Sequence, residues 1–234
     1  MKIKGPAHDA GSCSDTVLAQ SLHGLVVWFV KTLTGKQAAQ ASEQIEVERK
    51  YRLSESEFEA LPGLLESSGF RYFRTQEMTD TFIPAQESSE MIRIRDLSDE
   101  DGNRSVLTLK KWITVDGESV RQERETESLD PVARDCLLEM GSRIAKDALL
   151  TFSKERVEYR KRKDRKTVTV ALDRVEGLGA FSGPYVEVEV LAKRKEDVKQ
   201  ALDCVDEIAG MLLGDGKELA PSYREMLKQS LLNS

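Results

Sequence analysis

The sequence predicts an α+β fold built on about eight antiparallel strands. Short stretches that alternate apolar and charged residues recur along most of the chain, and turn sequences at 99–103 and 116–117 separate some of them. Few stretches have helical periodicity. Because a short turn reverses the chain direction, strands joined in this way pair antiparallel.

The first strand, at 45–51, reads Ile-Glu-Val-Glu-Arg-Lys-Tyr. Successive side chains on a strand point to opposite faces, so Glu46, Glu48 and Lys50 share one face. Two neighbouring carboxylates repel each other unless a cation separates them. Either water solvates this face, or the carboxylates hold a metal ion beside Lys50.

The next strands have the same alternation. After a helix that Ser54 and Glu57 begin with a capping box, a strand is predicted at 72–83. Arg93 and Arg95 share a face of the following strand; on an edge strand they would be surface donors. Two more strands then place charged residues on one face, which are Lys110, Arg121, Glu123, Glu125 and Glu127.

The second half of the chain alternates strands and helices. Helices are predicted at 130–144, 195–213 and 221–232. The strands at 151–159, 167–173 and 185–190 place Lys154, Arg156, Asp173, Glu187 and Glu189 on their charged faces. A basic hairpin tip is expected at 161–166, most simply as a solvated turn.

Composition bounds the function. The 234 residues suffice for one large or two small domains, with 1–42 expected to form an N-terminal extension and 43–234 the main domain. A net charge of −6 argues against a general nucleic-acid binder. The three dispersed cysteines and two histidines indicate neither a zinc site nor histidine catalysis.

The longest apolar run, 22–30, is too short to span a membrane, so a cytoplasmic location is expected.

The charged faces allow two interpretations. In an ordinary antiparallel sheet the charged face meets water, and its surface ion pairs contribute little. If the strands close into a barrel, the helices can cover the apolar face and the charged face lines the bore. Such a bore would have to be wet and filled by a ligand matching both signs, such as a polyphosphate with divalent cations. The pattern alone leaves both interpretations open.

The ordered motifs identify a family. Glu46-Val47-Glu48-Arg49-Lys50 resembles the Glu-x-Glu-x-Lys signature of the CYTH superfamily, the triphosphate tunnel metalloenzymes. The resemblance covers roughly 44–230, and its later elements follow in family order: Arg93-x-Arg95, Lys110, Glu123-x-Glu125-x-Glu127, Lys154-x-Arg156, 172–181, Glu187-x-Glu189 and 221–227.

The resemblance implies an eight-stranded antiparallel β-barrel, a tunnel with a charged interior and helices packed outside. It implies that triphosphate binds Lys50, Arg93, Arg95, Lys110 and Arg156. It implies that Mg²⁺ or Mn²⁺ binds Glu46, Glu48, Asp173, Glu187 and Glu189. The catalytic residues it implies are Glu46, Glu48, Lys50 and Glu125, with Glu123 as the alternative register.

Some positions depart from the family or allow a second role. The segment 182–184 is expected to be an insertion before the strand of Glu187. Some family members have a basic residue near the final helix, and Lys217 is only a loose match to it. Lys154 is expected in an outer network rather than on phosphate. Asp173 could bind the bend at 177–179 instead of a metal ion.

The reaction is left open between two phosphoryl chemistries and simple binding. Hydrolysis to diphosphate and orthophosphate is favoured because it needs only water and a bound triphosphate. The alternative is a class IV adenylyl cyclase that makes cyclic AMP and pyrophosphate, and a further one is a non-catalytic nucleotide or polyphosphate sensor. The expected partner is a small-molecule triphosphate, with neither nucleic acid nor membrane, and a homodimer is compatible with the sequence.

Overall fold

A computed structural model of the chain describes residues 44–85, 89–126, 128–145 and 149–232. The extension predicted at 1–42, with its apolar run, lies outside the described residues, and so does Glu127. The described residues form eight strands and four helices.

Eight antiparallel strands form a closed barrel in the order β1-β5-β4-β3-β2-β6-β7-β8. The closed antiparallel barrel confirms the predicted fold class, and closure leaves the barrel strands without a free edge. The strands are β1 (Gln44–Arg52), β2 (Arg71–Ile83), β3 (Glu90–Asp99), β4 (Gly102–Val115), β5 (Glu118–Glu125), β6 (Leu150–Lys163), β7 (Lys166–Glu176) and β8 (Gly183–Ala192).

Four helices accompany the barrel: α1 (Glu55–Ser67), α2 (Pro131–Ala145), α3 (Val198–Leu213) and α4 (Tyr223–Leu232). The predicted capping box of α1 is present, since Ser54 and Glu57 exchange hydrogen bonds between side chain and backbone. Helices α3 and α4 begin two or three residues later than the sequence predicts. A 3₁₀ turn at Lys195–Asp197 precedes α3, and α4 begins only after Ser222, whose side chain is bonded to Glu225.

Local sequence sets the hairpins. Asp116 and Gly117 both have positive φ, 51° and 87°, as a two-residue turn of the mirror-image type requires. The basic tip predicted at 161–166 is shorter than expected, because β6 and β7 pair as far as Lys163 and Lys166. Gly183 and Pro184 belong to β8 and pair with β7, so the predicted insertion at 182–184 is largely strand.

The apolar faces of the strands form cores outside the barrel. The outer faces of β1, β7 and β8 pack against α1 and α3, and Val170, Val186 and Val188 at the centre of this core have no exposed surface. The outer faces of β3 and β4 pack against α2 through Ile94 and Leu107. The helices therefore cover the apolar side, and the charged side faces inward.

The barrel has two unlike ends. At one end, α4 packs through Met226 and Leu227 on a buried cluster that includes Phe82 and Phe152 from the barrel. A backbone hydrogen bond of 2.8 Å from Ala220 to Lys50 ties the segment before α4 to β1. At the other end lie the β6–β7 turn and the last residues of β8. We call the space enclosed by the strands the bore.

None of the helices in the described residues has both the length and the apolar character needed to cross a bilayer.

Candidate active site

The bore opens into a cavity of about 1280 Å³ lined mainly by charged side chains. The residues predicted for the site line this cavity or lie directly behind it: Glu46, Glu48, Lys50, Arg93, Arg95, Lys110, Glu123, Glu125, Arg156, Asp173, Glu187 and Glu189. Strand alternation explains the arrangement, because each lies at an inward position of its strand. The interpretation of a solvent-facing charged sheet is therefore wrong.

Three carboxylates converge on one point of the bore wall. An oxygen from each of Glu46, Glu48 and Glu189 lies within 4.8 Å of the other two. Glu46 and Glu48 are neighbours on β1, and Glu189 lies opposite Glu48 on β8. We call these residues the carboxylate trio.

The trio fits a hard divalent cation. Burial, together with repulsion from Glu46 and Glu48, raises the pKa of Glu189 to about 8. A bound cation would relieve this repulsion, and carboxylate oxygens are the ligands that Mg²⁺ and Mn²⁺ prefer.

Cations already border the trio. The guanidinium of Arg121 donates to Glu48 and lies 3.0 Å from Glu46, and Lys110 lies 3.1 Å from Glu46. Burial works against ionisation of Glu46, but Arg121 and Lys110 outweigh it and hold its pKa well below the usual value. Arg121 was not among the predicted site residues, although it shares a strand face with Glu123.

The pKa values of the two glutamates of β5 are shifted in opposite directions. Burial and repulsion by Glu46 raise the pKa of Glu123 well above its usual value, and Lys110 also contacts its carboxyl group. Glu125 accepts from Thr108 at 2.7 Å and from Arg93 at 3.2 Å. Desolvation opposes ionisation of Glu125, but Arg93, Lys110 and Thr108 outweigh it and lower its pKa. Its side chain is 48% exposed, so water can reach its carboxylate.

Asp173 lies apart from the trio and is fully buried. It accepts from Lys154 at 2.7 Å and from Arg156 at 2.6 Å. The Tyr223 hydroxyl donates to it at 2.8 Å. These contacts place Asp173 in the bore, not at the bend of 177–179. They also show that the outer position expected for Lys154 is wrong, because this lysine shares the inward face of Arg156.

Glu187 resembles Asp173 in its contacts. Lys50 lies 2.8 Å from its carboxylate, and Arg156 also donates to it. Burial opposes ionisation, but Arg156 and Lys50 keep the pKa of Glu187 well below its usual value. Glu187 therefore contacts Lys50 of β1 and Arg156 of β6 at the same time.

Arg93 and Arg95 point into the bore and share Asp80. Arg95 makes a bidentate pair with Asp80, at 2.6 and 2.8 Å, while Arg93 lies 3.6 Å from the same carboxylate. The suggestion that these arginines are edge-strand surface donors is therefore wrong. Asp80 was missed as a site residue, although the sequence placed it within a predicted strand.

Two C-terminal features complete the site. The ring of Tyr223, at the start of α4, lies 3.6 Å from Lys50 Nζ in a cation–π contact. Tyr223 was not among the predicted site residues, because its contacts with Lys50 and Asp173 join residues far apart in sequence. Lys217, the loose match to a late basic residue, pairs with Glu57 of α1 and is not among the residues that line the bore.

Comparison with known families agrees with this geometry. The CYTH domain model matches residues 44–223. The chain belongs to the CYTH family. This CYTH domain spans the barrel from β1 to the first residue of α4, so it contains both the carboxylate trio and Tyr223.

Solved structures share the fold. The PH1819 protein of Pyrococcus horikoshii OT3 is 28% identical, with a TM-score of 0.61 over 79% of this chain and 98% of its own. HpAC1 from Hippeastrum, described as a putative adenylyl cyclase with a dominant triphosphatase activity, is 19% identical, with a TM-score of 0.50 over 80% of this chain and 95% of its own. A search of the curated proteins gave no match.

Proposed function

We propose that this CYTH domain is a divalent-metal-dependent triphosphatase that releases orthophosphate from an organic or inorganic triphosphate. The observation that carries the proposal is the carboxylate trio, which meets in a bore whose walls also carry Lys50, Arg93, Arg95, Lys110 and Arg156. A triphosphate needs the cations for its oxygens, whereas a divalent cation needs the carboxylates.

The trio of Glu46, Glu48 and Glu189 would hold Mg²⁺ or Mn²⁺. When bound, the metal supplies charge neutralisation on the phosphate oxygens. We assign Asp173 and Glu187 a positioning role, because they lie outside the group of carboxylates that can share one ion and are both bonded to Arg156. The family resemblance implies five acidic metal ligands, and this assignment reduces them to the three residues of the trio.

Five cations would bind the triphosphate: Lys50, Arg93, Arg95, Lys110 and Arg156. Each has a carboxylate partner within 4 Å in the protein. A fixed partner keeps each side chain in place before the substrate arrives. Preorganised cations aimed at developing negative charge lower the barrier to phosphoryl transfer.

Glu125 is the proposed acceptor for the attacking water. It lies on the cavity wall, and its lowered pKa keeps it ionised, so it can accept a hydrogen bond from water. The pKa of Glu123 is instead raised well above its usual value by burial and by Glu46. This difference favours Glu125 over Glu123, the alternative register. Water would attack the terminal phosphorus, and the bond to the bridging oxygen would break.

The neighbour from Hippeastrum supports hydrolysis, since its description names a dominant triphosphatase activity in a protein first considered a cyclase. Adenylyl cyclase activity would need the α phosphorus of ATP beside the trio, with the ribose 3′-hydroxyl as the nucleophile.

One assay distinguishes these reactions. The protein is incubated with tripolyphosphate, thiamine triphosphate or ATP, each with Mg²⁺, Mn²⁺ or a chelator. Orthophosphate that appears only with metal is the expected result. Cyclic AMP with pyrophosphate would establish the cyclase instead, and tight binding without turnover would establish a sensor.

A further inference from the structure

Arg121 bridges two members of the carboxylate trio. It lies directly opposite Glu46 on the paired strands β1 and β5, and it shares the inward face of β5 with Glu123. One terminal nitrogen, Nη2, lies 3.0 Å from Glu46 Oε2 and also donates to Glu48 Oε2. A single guanidinium nitrogen therefore holds two of the three carboxylates that are proposed as metal ligands.

The partners of Arg121 distinguish it from other cations of the bore. Within the described residues, both of its ion pairs are with members of the trio. Lys50, in contrast, makes its short ion pair with Glu187, at 2.8 Å. Lys110 contacts the trio but keeps Glu123 as a second partner. Arg121 therefore depends on the trio for its ion pairs, whereas its neighbours do not.

A divalent cation and Arg121 compete for the same carboxylates. Each glutamate of the trio would give the ion an oxygen, and two of the three are already bonded to the guanidinium. The side chains of Glu46 and Glu48 are only 9% and 10% exposed. Water and salt therefore screen the repulsion between a bound ion and the guanidinium only weakly. Binding of the ion both weakens the attachment of Arg121 and repels it.

A displaced guanidinium has a use at this place in the bore. Arg121 lines the cavity, and its side chain is 14% exposed. Lys110, one of the proposed triphosphate ligands, contacts the same carboxylate, Glu46. Arg121 therefore lies in the part of the bore where phosphate oxygens are expected. Its planar fork of donors matches such oxygens better than a carboxylate that already holds a metal ion.

We infer that Arg121 is the resident counter-ion of the trio, which leaves Glu46 and Glu48 when a divalent cation binds and then donates to a phosphate oxygen of the substrate. The second step rests on the proposed function, since it needs a triphosphate in the bore. Arg121 thus opposes metal binding in the empty protein and favours it once a triphosphate is present. Metal and triphosphate binding become coupled, so that each strengthens the other.

Metal affinity without substrate tests the first step. Titration calorimetry measures Mn²⁺ binding to the wild-type chain and to Arg121→Gln. We expect Arg121→Gln to bind Mn²⁺ about tenfold more tightly, because no cation has to leave the trio. A purely structural role for Arg121 predicts the reverse, since a trio without its support would bind Mn²⁺ more weakly. Equal or weaker binding in Arg121→Gln would overturn the inference.

Two further variants locate the effect. Arg74→Gln removes the same charge from the same cavity wall, but Arg74 pairs with Glu158 and not with the trio. Its Mn²⁺ affinity should stay within about twofold of the wild-type value. Arg121→Lys keeps the charge and should keep the wild-type Mn²⁺ affinity. If Arg74→Gln gained as much affinity as Arg121→Gln, the charge of the whole cavity would set metal binding, and the inference would be wrong.

A ligand that resists hydrolysis tests the second step. An imido-bridged triphosphate analogue is titrated into each protein with and without Mn²⁺. Mn²⁺ should raise the affinity for the analogue, and Arg121→Gln should reduce this increase about tenfold. Arg121→Lys should recover only part of it, because an ammonium group lacks the paired donors. An undiminished increase in Arg121→Gln would show that the displaced guanidinium does not reach phosphate, which contradicts the inference.

Failure of the proposed function would give a different pattern. If wild-type protein released no orthophosphate with Mn²⁺, while Arg121→Gln bound Mn²⁺ more tightly and lost the coupling, the triphosphatase proposal would be rejected and the inference would stand. If wild-type protein hydrolysed triphosphate normally, while Arg121→Gln bound Mn²⁺ no more tightly than wild type, the triphosphatase would stand and the inference would fall.

Discussion

Two groups of carboxylates in the bore differ in how they are arranged around cations. In the trio, Glu46, Glu48 and Glu189 bring oxygens within 4.8 Å of one another, with Arg121 and Lys110 beside them. Asp173 and Glu187 are instead joined through a cation, since Arg156 is bonded to both. All five residues look alike in the sequence, as acidic positions on inward strand faces.

The difference follows from which strands are neighbours. Glu48 and Glu189 face each other on paired strands β1 and β8, so their like charges meet. Asp173 faces Arg156 across the β6–β7 pair, so its charge is neutralised directly. The residue opposite each carboxylate on the neighbouring strand thus decides its role. A carboxylate opposite another carboxylate is suited to a metal ion, whereas one opposite a cation holds that phosphate-binding cation in place.

Substitution in the trio should have the largest effect. Glu48→Gln removes a proposed metal ligand with almost no change of volume, so metal-dependent turnover should fall by about a thousandfold or more. Orthophosphate release at saturating metal measures the loss, and calorimetry should show weaker Mn²⁺ binding.

Glu59→Gln provides the matched control, because Glu59 is exposed on α1 and should leave the rate unchanged. A wild-type rate in Glu48→Gln would show that the trio is not the metal site.

Asp173→Asn should instead weaken the fold. The substitution leaves Lys154 and Arg156 buried without their anionic partner, and breaking a buried ion pair in this way costs about 3–5 kcal/mol. Chemical denaturation measures the loss in the free energy of unfolding. Mn²⁺ affinity should remain near the wild-type value at temperatures where the variant is folded. A stable Asp173→Asn protein that no longer binds Mn²⁺ would place the metal ion on the Asp173 side.

The fold was predictable because strand alternation and hairpin turns are local properties of the sequence. The inward positions of Arg93, Arg95 and Glu189 follow from the same period of two. The pairing of Asp80 with Arg95 was not predictable in this way, because it depends on the register between β2 and β3. Tyr223 was missed because its contact with Asp173 joins residues far apart in sequence.

The pH dependence of the unfolding free energy should also distinguish the trio from Asp173 and Glu187. In the folded, metal-free protein the pKa of Glu189 is raised to about 8, while an unfolded glutamate titrates at about 4.3. The folded state therefore binds more protons between these values, and the unfolding free energy should fall as pH rises from about 4.5 to 8.

Glu189→Gln should reduce this decline, as measured by melting temperature against pH in the presence of a chelator. The pKa of Glu123 is also raised, so Glu123 should cause the decline in stability that remains in this variant. Glu187 cannot contribute in this range, because its lowered pKa places its effect at more acidic pH. An unchanged profile in Glu189→Gln would mean that Glu189 is already ionised without metal, contrary to the crowding of the trio.

Tyr223→Phe should give the smallest effect. The change removes the hydrogen bond to Asp173 but keeps the ring beside Lys50. Because Lys154 and Arg156 still bond Asp173, the loss should be about 1–2 kcal/mol of unfolding free energy. Turnover should stay within a few-fold of wild type, since no proposed phosphate or metal contact is lost. Tyr223→Leu, which also removes the ring, should raise KM through a less constrained Lys50. Equal KM values in the two variants would show that the ring does not position this lysine.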